Sequence, residues 1–189
     1  MARDVRITLA TPADLPAILA LQRANLKSAL TPDDIREQGF VTLVHSQDML
    51  ERMHELGPSV VAKLGDEVVG YALTMLLEAR PLVPALEPMF TALTGARFRG
   101  RALDAMRFYV MGQVCVARAQ RGSGVFSALY AGHDAHYGDR FDCIVTEVSA
   151  VNTRSLRAHA KVGFERSVSY TDDGDEWLVL ARALNAPRS

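Results

Sequence analysis

The sequence predicts an α/β domain, with one mixed central sheet of about six to seven strands flanked by helices. Three observations carry that expectation. Short apolar or alternating runs recur along the chain, and stretches with helical apolar spacing lie between them. Turn and cap residues such as Gly57-Pro58, Gly65-Asp66 and Gly163 punctuate the joins. The resulting order, β-α-α-β-β-insert-β-α-β-α-β-β, is that of a mixed sheet covered by helices.

Arg3–Leu9 alternates polar and apolar residues and reads as the first strand. Thr11 caps a helix with Pro12 at its first position and Asp14 reaching back, and Leu15, Ile18, Leu19, Leu21 and Leu26 carry it to about Lys27. Thr31-Pro32-Asp33-Asp34 repeats that starting chemistry, so a second helical start is expected there. Ser46–Leu56 is a further helix, ended by Gly57-Pro58. Ser59–Leu64 and Glu67–Leu77 form a hairpin around Gly65-Asp66. Glu78–Asp104 is an irregular insert containing one helix near Leu86–Leu93. Met106–Val116 is a buried strand, Gly122–Tyr137 a helix, Cys143–Ser149 a short buried strand and Thr153–Val162 a helix. Ser167–Tyr170 and Glu176–Ala183 complete the sheet.

The chain has 189 residues, with 21 basic and 22 acidic side chains and a formal net charge of −1. That length suits a single domain spanning 1–189, with the insert at about 78–104. The balanced charge argues against nucleic acid as a partner. No run of about 18 apolar residues exists, so no membrane span is expected. Cys115 and Cys143 are too few for a disulfide framework or, unaided, a thiolate zinc site, and a cytoplasmic location is expected. His133 and His136 lack a natural third ligand, so no metal is expected.

The segment from Gln113 to Phe126 carries the most information. A buried strand ends at Val116, and Arg121-Gly122-Ser123-Gly124 opens a helix. Exposed N–H groups, the helix dipole and the Arg121 charge favour an anion there, although such turns also join ordinary strands to helices. Neither a Walker loop nor G-x-G-x-x-G is present. Arg121-x-x-Gly124-x-Phe126 resembles the R/Q-x-x-G-x-G/A turn of the GCN5-related N-acetyltransferase (GNAT) superfamily, with Phe126 in place of the usual small residue. Glu147-x-x-x-x-Asn152-x-x-Ser155-x-x-x-His159, closed by Gly163-Phe164, is similar to that superfamily's second acetyl-coenzyme A segment. Further stretches, Gln113–Val116 and His159–Phe164, look like a bacterial-type subgroup.

The resemblance implies a GNAT-like twisted sheet whose fourth and fifth strands splay around acetyl-coenzyme A, used as co-substrate with an amine acceptor. It places the cofactor against Val114, Cys115, Val116, Arg121, Gly122, Ser123, Gly124, Val125, Phe126, Asn152 and Ser155. Gly112 is consistent with a bulge that frees main-chain groups of the central strand. Glu147, amid Val145 and Val148, is the candidate base; a structural hydrogen bond is its alternative. His159 stands where the family often has a thiolate-protonating tyrosine, so it is the candidate acid, with cofactor contact or packing as alternatives. Tyr130 is the reserve donor. Asn152 is also explained by helix capping alone. The arginines at 97, 99, 101 and 107 form a basic patch, either solvated or receiving an acidic group. The expected activity is N-acetyl transfer in a ternary complex by a monomer or homodimer. A non-catalytic acyl-coenzyme A-binding module, a longer acyl donor and a hydroxyl acceptor are the alternatives.

Overall fold

Alternation along the strands builds two cores, one on each face of the sheet. Val61, Val145 and Val179 point to one face, while their neighbours Val60, Ile144 and Leu180 point to the other. The computed structural model describes residues 5–31, 33 and 40–185. Its strands are β1 (Val5–Leu9), β2 (Val60–Leu64), β3 (Glu67–Met75), β4 (Arg97–Phe98), β5 (Arg101–Ala102), β6 (Phe108–Val116), β7 (Cys143–Ser149), β8 (Glu165–Asp172) and β9 (Asp175–Ala183). The main sheet has seven strands in the order β1-β2-β3-β6-β7-β9-β8. Only β6 and β7 are parallel within it.

Helices α1 (Leu15–Ala24), α2 (Gln47–Leu56) and α3 (Glu87–Ala92) contribute Ile18, Leu50 and Met89 to the first core. Helices α4 (Val125–Tyr137) and α5 (Thr153–Lys161) cover the second face, where Leu129 and Tyr130 of α4 are fully buried. Gly132 sets how closely α4 approaches: a Cβ there would lie 2.8 Å from both Ile7 Cγ2 and Val60 Cγ1. The cap at Thr11 matches the sequence expectation, and the structure adds one at Ser46. Thr11 N–H donates to Asp14 at 2.8 Å, and Ser46 Oγ accepts from Met49 N–H at 3.1 Å.

Several expected boundaries move for identifiable reasons. The helix expected from Gly122 begins at Val125, because Gly122 and Gly124 hold left-handed φ values of 79° and 90°. The strand expected at Ser167–Tyr170 runs over Glu165–Asp172; as the sheet's last strand it carries exposed polar residues and lacks the apolar signature. The insert contains α3 as expected and also the β4–β5 hairpin. Most of the second helical start, Pro32 and Asp34 included, lies outside the described residues.

Candidate active site

The cleft originates in a parallel pair that stops early. β6 and β7 pair only through Phe108–Val110 and Cys143–Val145. Where they part, Thr146 Oγ1 donates to Met111 O at 3.0 Å. Against β3, β6 carries one extra residue: Ala72 faces Val114 and Thr74 faces Met111, so Gly112 and Gln113 together oppose Leu73. The expected bulge is present. From Met111 to Val116 the β7-facing edge of β6 has no strand paired to it among the described residues.

Two adjoining cavities open along this edge. The larger, about 410 Å³, lies between the end of β6, the glycine turn and α5. The smaller, about 100 Å³, runs under residues 40–43 to Glu147 and Trp177. Val114, Asn152 and Ser155 line both. The covering strap is tied down by Gln113 Nε2–H to Leu43 O at 2.8 Å and Asn152 Nδ2–H to Phe40 O at 3.2 Å. Asn152 Oδ1 meanwhile caps α5 by accepting from Ser155 N–H at 3.2 Å.

Most of the expected cofactor residues meet in the larger cavity: Val114, Cys115, Val116, Arg121, Gly122, Gly124, Phe126, Asn152 and Ser155. Ser123 and Val125 are not among the residues that line it. Ser123 is exposed and its hydroxyl donates to Gln120 O at 2.6 Å, while Val125 is buried in the core. Arg121 lines the cavity, yet its guanidinium also bonds Val116 O at 3.1 Å and Asn25 Oδ1. Burial pushes the Cys115 thiol up to about 11, which keeps it protonated.

The arginine patch is not part of the cleft lining. Arg99 pairs with Glu165 at 2.5 Å and Arg107 with Asp142 at 2.8 Å. The lining cations instead include Arg154, Arg157 and Lys161 on α5. They are three and four residues apart along one helix face just after Asn152, a signal present in the sequence beside the denser arginine run.

His159 is 2% exposed and sits among the rings of Phe126, Tyr130 and Phe164, with centroids 5.2, 5.8 and 5.0 Å away. Its Nδ1 lies 2.8 Å from Ser155 O, and a carbonyl only accepts, so Nδ1 carries the hydrogen. Burial lowers the ring to about 4, so it is neutral at pH 7 and Nε2 accepts from the Tyr130 hydroxyl at 2.9 Å. Neither the ring nor Tyr130 has a proton aimed into the cleft. The acid role expected for His159 therefore does not fit this geometry. A titration of the imidazole followed by two-dimensional NMR is expected to show one neutral tautomer from pH 8 down to about 5. A midpoint near 6.5 would contradict the burial.

Glu147 lines the smaller cavity, as does His159. Burial, with Asp172 as a like charge, raises its carboxyl to about 7, while the Tyr170 hydroxyl donates to Oε2 and holds it lower than it would otherwise be. Tyr170 was absent from the sequence expectation. It sits opposite Trp177, which in turn faces Ser149, so its approach to Glu147 depends on strand register two strands away. The arrangement offers a carboxyl poised between its two forms at neutral pH, beside an anion-favouring cavity.

Among the described residues no group of three or more His, Cys, Asp or Glu is placed to hold a metal, and no helix is long and apolar enough to cross a membrane. Solved structures share the fold at low identity. The ribosomal-protein-S18-alanine N-acetyltransferase from Escherichia coli is similar at TM-score 0.64 and 13% identity, covering 98% of this chain and 97% of that one. Ard1 from Thermoplasma volcanium is similar at TM-score 0.65 and 15% identity, covering 97% and 99%. The ribosomal-protein-alanine N-acetyltransferase from Brucella melitensis is similar at TM-score 0.60 and 23% identity, covering 95% and 99%. No curated protein matches the chain significantly. The model of the acetyltransferase (GNAT) family matches residues 23–164, a span that includes the β6 edge, the glycine turn, Glu147 and α5. The chain belongs to the GNAT acetyltransferase family and is an acyltransferase.

Proposed function

We propose that the chain transfers an acetyl group from acetyl-coenzyme A to a primary amine by direct attack, both substrates being bound together. One observation carries the reading: a cation-lined cavity and a carboxylate-bearing cavity meet at the unpaired edge of β6. The larger cavity fits an elongated, phosphate-bearing co-substrate. Gly122 and Gly124 leave open space where a Cβ would stand, α4 begins beside them without a side-chain cap, and Arg154, Arg157 and Lys161 face them. The β6 edge suits a peptide-like arm added as a strand, and the Val114 N–H, which alternation turns away from β3, suits an oxyanion.

When bound, acetyl-coenzyme A supplies a thioester carbonyl open to nucleophiles. An alkylammonium resembles lysine, with a pKa near 10.4, so it needs a base at neutral pH. Glu147, at about 7, takes that first proton. The freed lone pair forms the C–N bond as the C–S bond breaks, and the second amine proton ends on the sulfur. Ser155 is the hydroxyl lining both cavities, and its oxygen lies 3.2 Å from His159 Nδ1, which already carries a hydrogen. Because the single Nδ1 hydrogen is turned to Ser155 O, the ring takes none from the Ser155 hydroxyl, which relays: it passes its hydrogen to the departing sulfur and is refilled by that second amine proton. His159 and Tyr130 position it. The small volume of the second cavity favours a short acyl group over a long one.

Acetyl-coenzyme A is expected to raise the melting temperature, because the folded state alone offers the site. Arg121→Ala should weaken its binding by about 1.5–3 kcal/mol, the range for hydrogen bonds to charged groups. Release of free thiol from acetyl-coenzyme A across an amine panel is the companion assay. An unchanged melting curve at millimolar co-substrate would remove the proposal.

A further inference from the structure

The smaller cavity selects its occupant by charge and size, an inference that rests on the transfer reading above. Its walls are mixed: Leu43, Leu86, Met89, Val110, Met111 and Trp177 supply the apolar side, and hydroxyl and amide side chains supply the rest. Two of its polar side chains are already engaged, Gln113 with Tyr71 and Leu43 O, and Thr146 with Met111 O. Among the described residues its lining contains no lysine or arginine. The only ionisable carboxylate there is Glu147, and the charge acting on it is the like charge of Asp172. A cationic amine is attracted to this place. A carboxylate or phosphate on the same small body would meet Glu147, with Asp172 behind it, and no cationic side chain among the described lining residues to balance its charge.

Size narrows the class further. Leu86 and Met89 come from the insert and form a roof, and the insert is fastened to β8 by Arg99–Glu165 at 2.5 Å and Ser167 Oγ–H to Arg97 O at 2.8 Å. A water-sized body needs roughly 10–15 Å³, so about 100 Å³ holds on the order of seven to ten non-hydrogen atoms, the incoming acetyl group included. We propose that the acceptor is a primary amine on a compact apolar body of about three to six further non-hydrogen atoms, without a carboxylate or phosphate.

3-Methylbutylamine and leucine share one apolar body and differ by a carboxylate, so they separate charge from shape. Calorimetric titration of each into the protein, with and without coenzyme A, is expected to show the amine binding roughly 100-fold or more tightly than leucine, a modest effect for an unpaired buried anion. Leucine or an alanine-initiated tripeptide binding equally or more tightly would overturn the inference, as would binding of none of the three. Leu86→Ala should shift the kcat/KM ratio of 2-phenylethylamine to 3-methylbutylamine upward by about tenfold, the worth of a methylene or two in an apolar pocket. An unchanged ratio would place the amine elsewhere. Coenzyme A in the same calorimeter reports on the transfer reading separately. A protein that selects 3-methylbutylamine but binds no coenzyme A loses that reading and keeps its amine pocket.

Discussion

Glu147→Gln is expected to lower turnover roughly 10²–10⁴-fold at pH 7, the usual worth of a positioned general base. The substitution keeps the size of the side chain and its bond from Tyr170, and removes the proton acceptor. In the unaltered protein the rate should rise with pH through about 7, as the carboxyl ionises. In the variant that inflection should vanish, and activity should recover toward pH 10, where the amine arrives already deprotonated. Co-substrate affinity should hardly change, because the carboxyl lines the smaller cavity and not the larger. Near-normal turnover at pH 7 would mean that another group takes the proton.

The same substitution has a stability counterpart of opposite sign. Folding raises the Glu147 carboxyl from 4.5 to about 7, so the folded state holds that proton more tightly than the unfolded one. Its contribution to stability is complete below pH 4.5 and is lost as pH rises through 7. Glutamine removes the cost of burying the charge, so Glu147→Gln should be more stable than the parent at pH 8, by up to about 3 kcal/mol, and little changed at pH 4. A carboxyl whose pKa folding left unchanged would show no such gain. This trade between activity and stability is the mark of a buried ionised group kept for chemistry.

What was legible in the sequence was local. The glycine turn, the strand carrying Glu147, the Asn152 cap and the bulge at Gly112 each depend on a few neighbouring residues, and each stands where the spacing put it. The roles of side chains within the site depended on contacts that spacing does not encode. His159 read as an acid because an imidazole ordinarily titrates near neutrality; Phe126, Tyr130 and Phe164 enclose it and remove that possibility. Phe126, the departure from the usual small residue, is part of that enclosure, so the two unusual positions of the sequence are one packing unit. Tyr170 and the roof from Leu86 and Met89 reach the site only through the register of the sheet and the docking of the insert on β8. Periodicity could propose these elements but not their meeting.

The largest expected loss of stability comes from behind the site, at Asp134. Its carboxylate accepts two hydrogen bonds from Arg182, at 3.0 and 2.6 Å, and one from Asn185 N–H at 3.2 Å. Arg182 is 8% exposed, donates from Nε to Val162 O at 2.7 Å, and lies 5.7 Å from the centre of the Tyr130 ring. One guanidinium thus joins β9, α4 and the end of α5, the two helices that frame the larger cavity. Asp134→Ala leaves that charge buried without its partner and should cost about 3–5 kcal/mol. For a chain of this length that corresponds to a fall of roughly 6–20 °C in melting temperature. Adding Arg182→Met removes the stranded charge and should recover part of the loss, since an apolar pair of similar volume often replaces a buried ion pair at little cost. The recovery should be incomplete, because the bond to Val162 O goes with the guanidinium. Thermal melts of the single and double variants decide the matter. A drop below about 2 °C for Asp134→Ala would mean that the pair contributes little and that the two helices are held by their apolar faces alone.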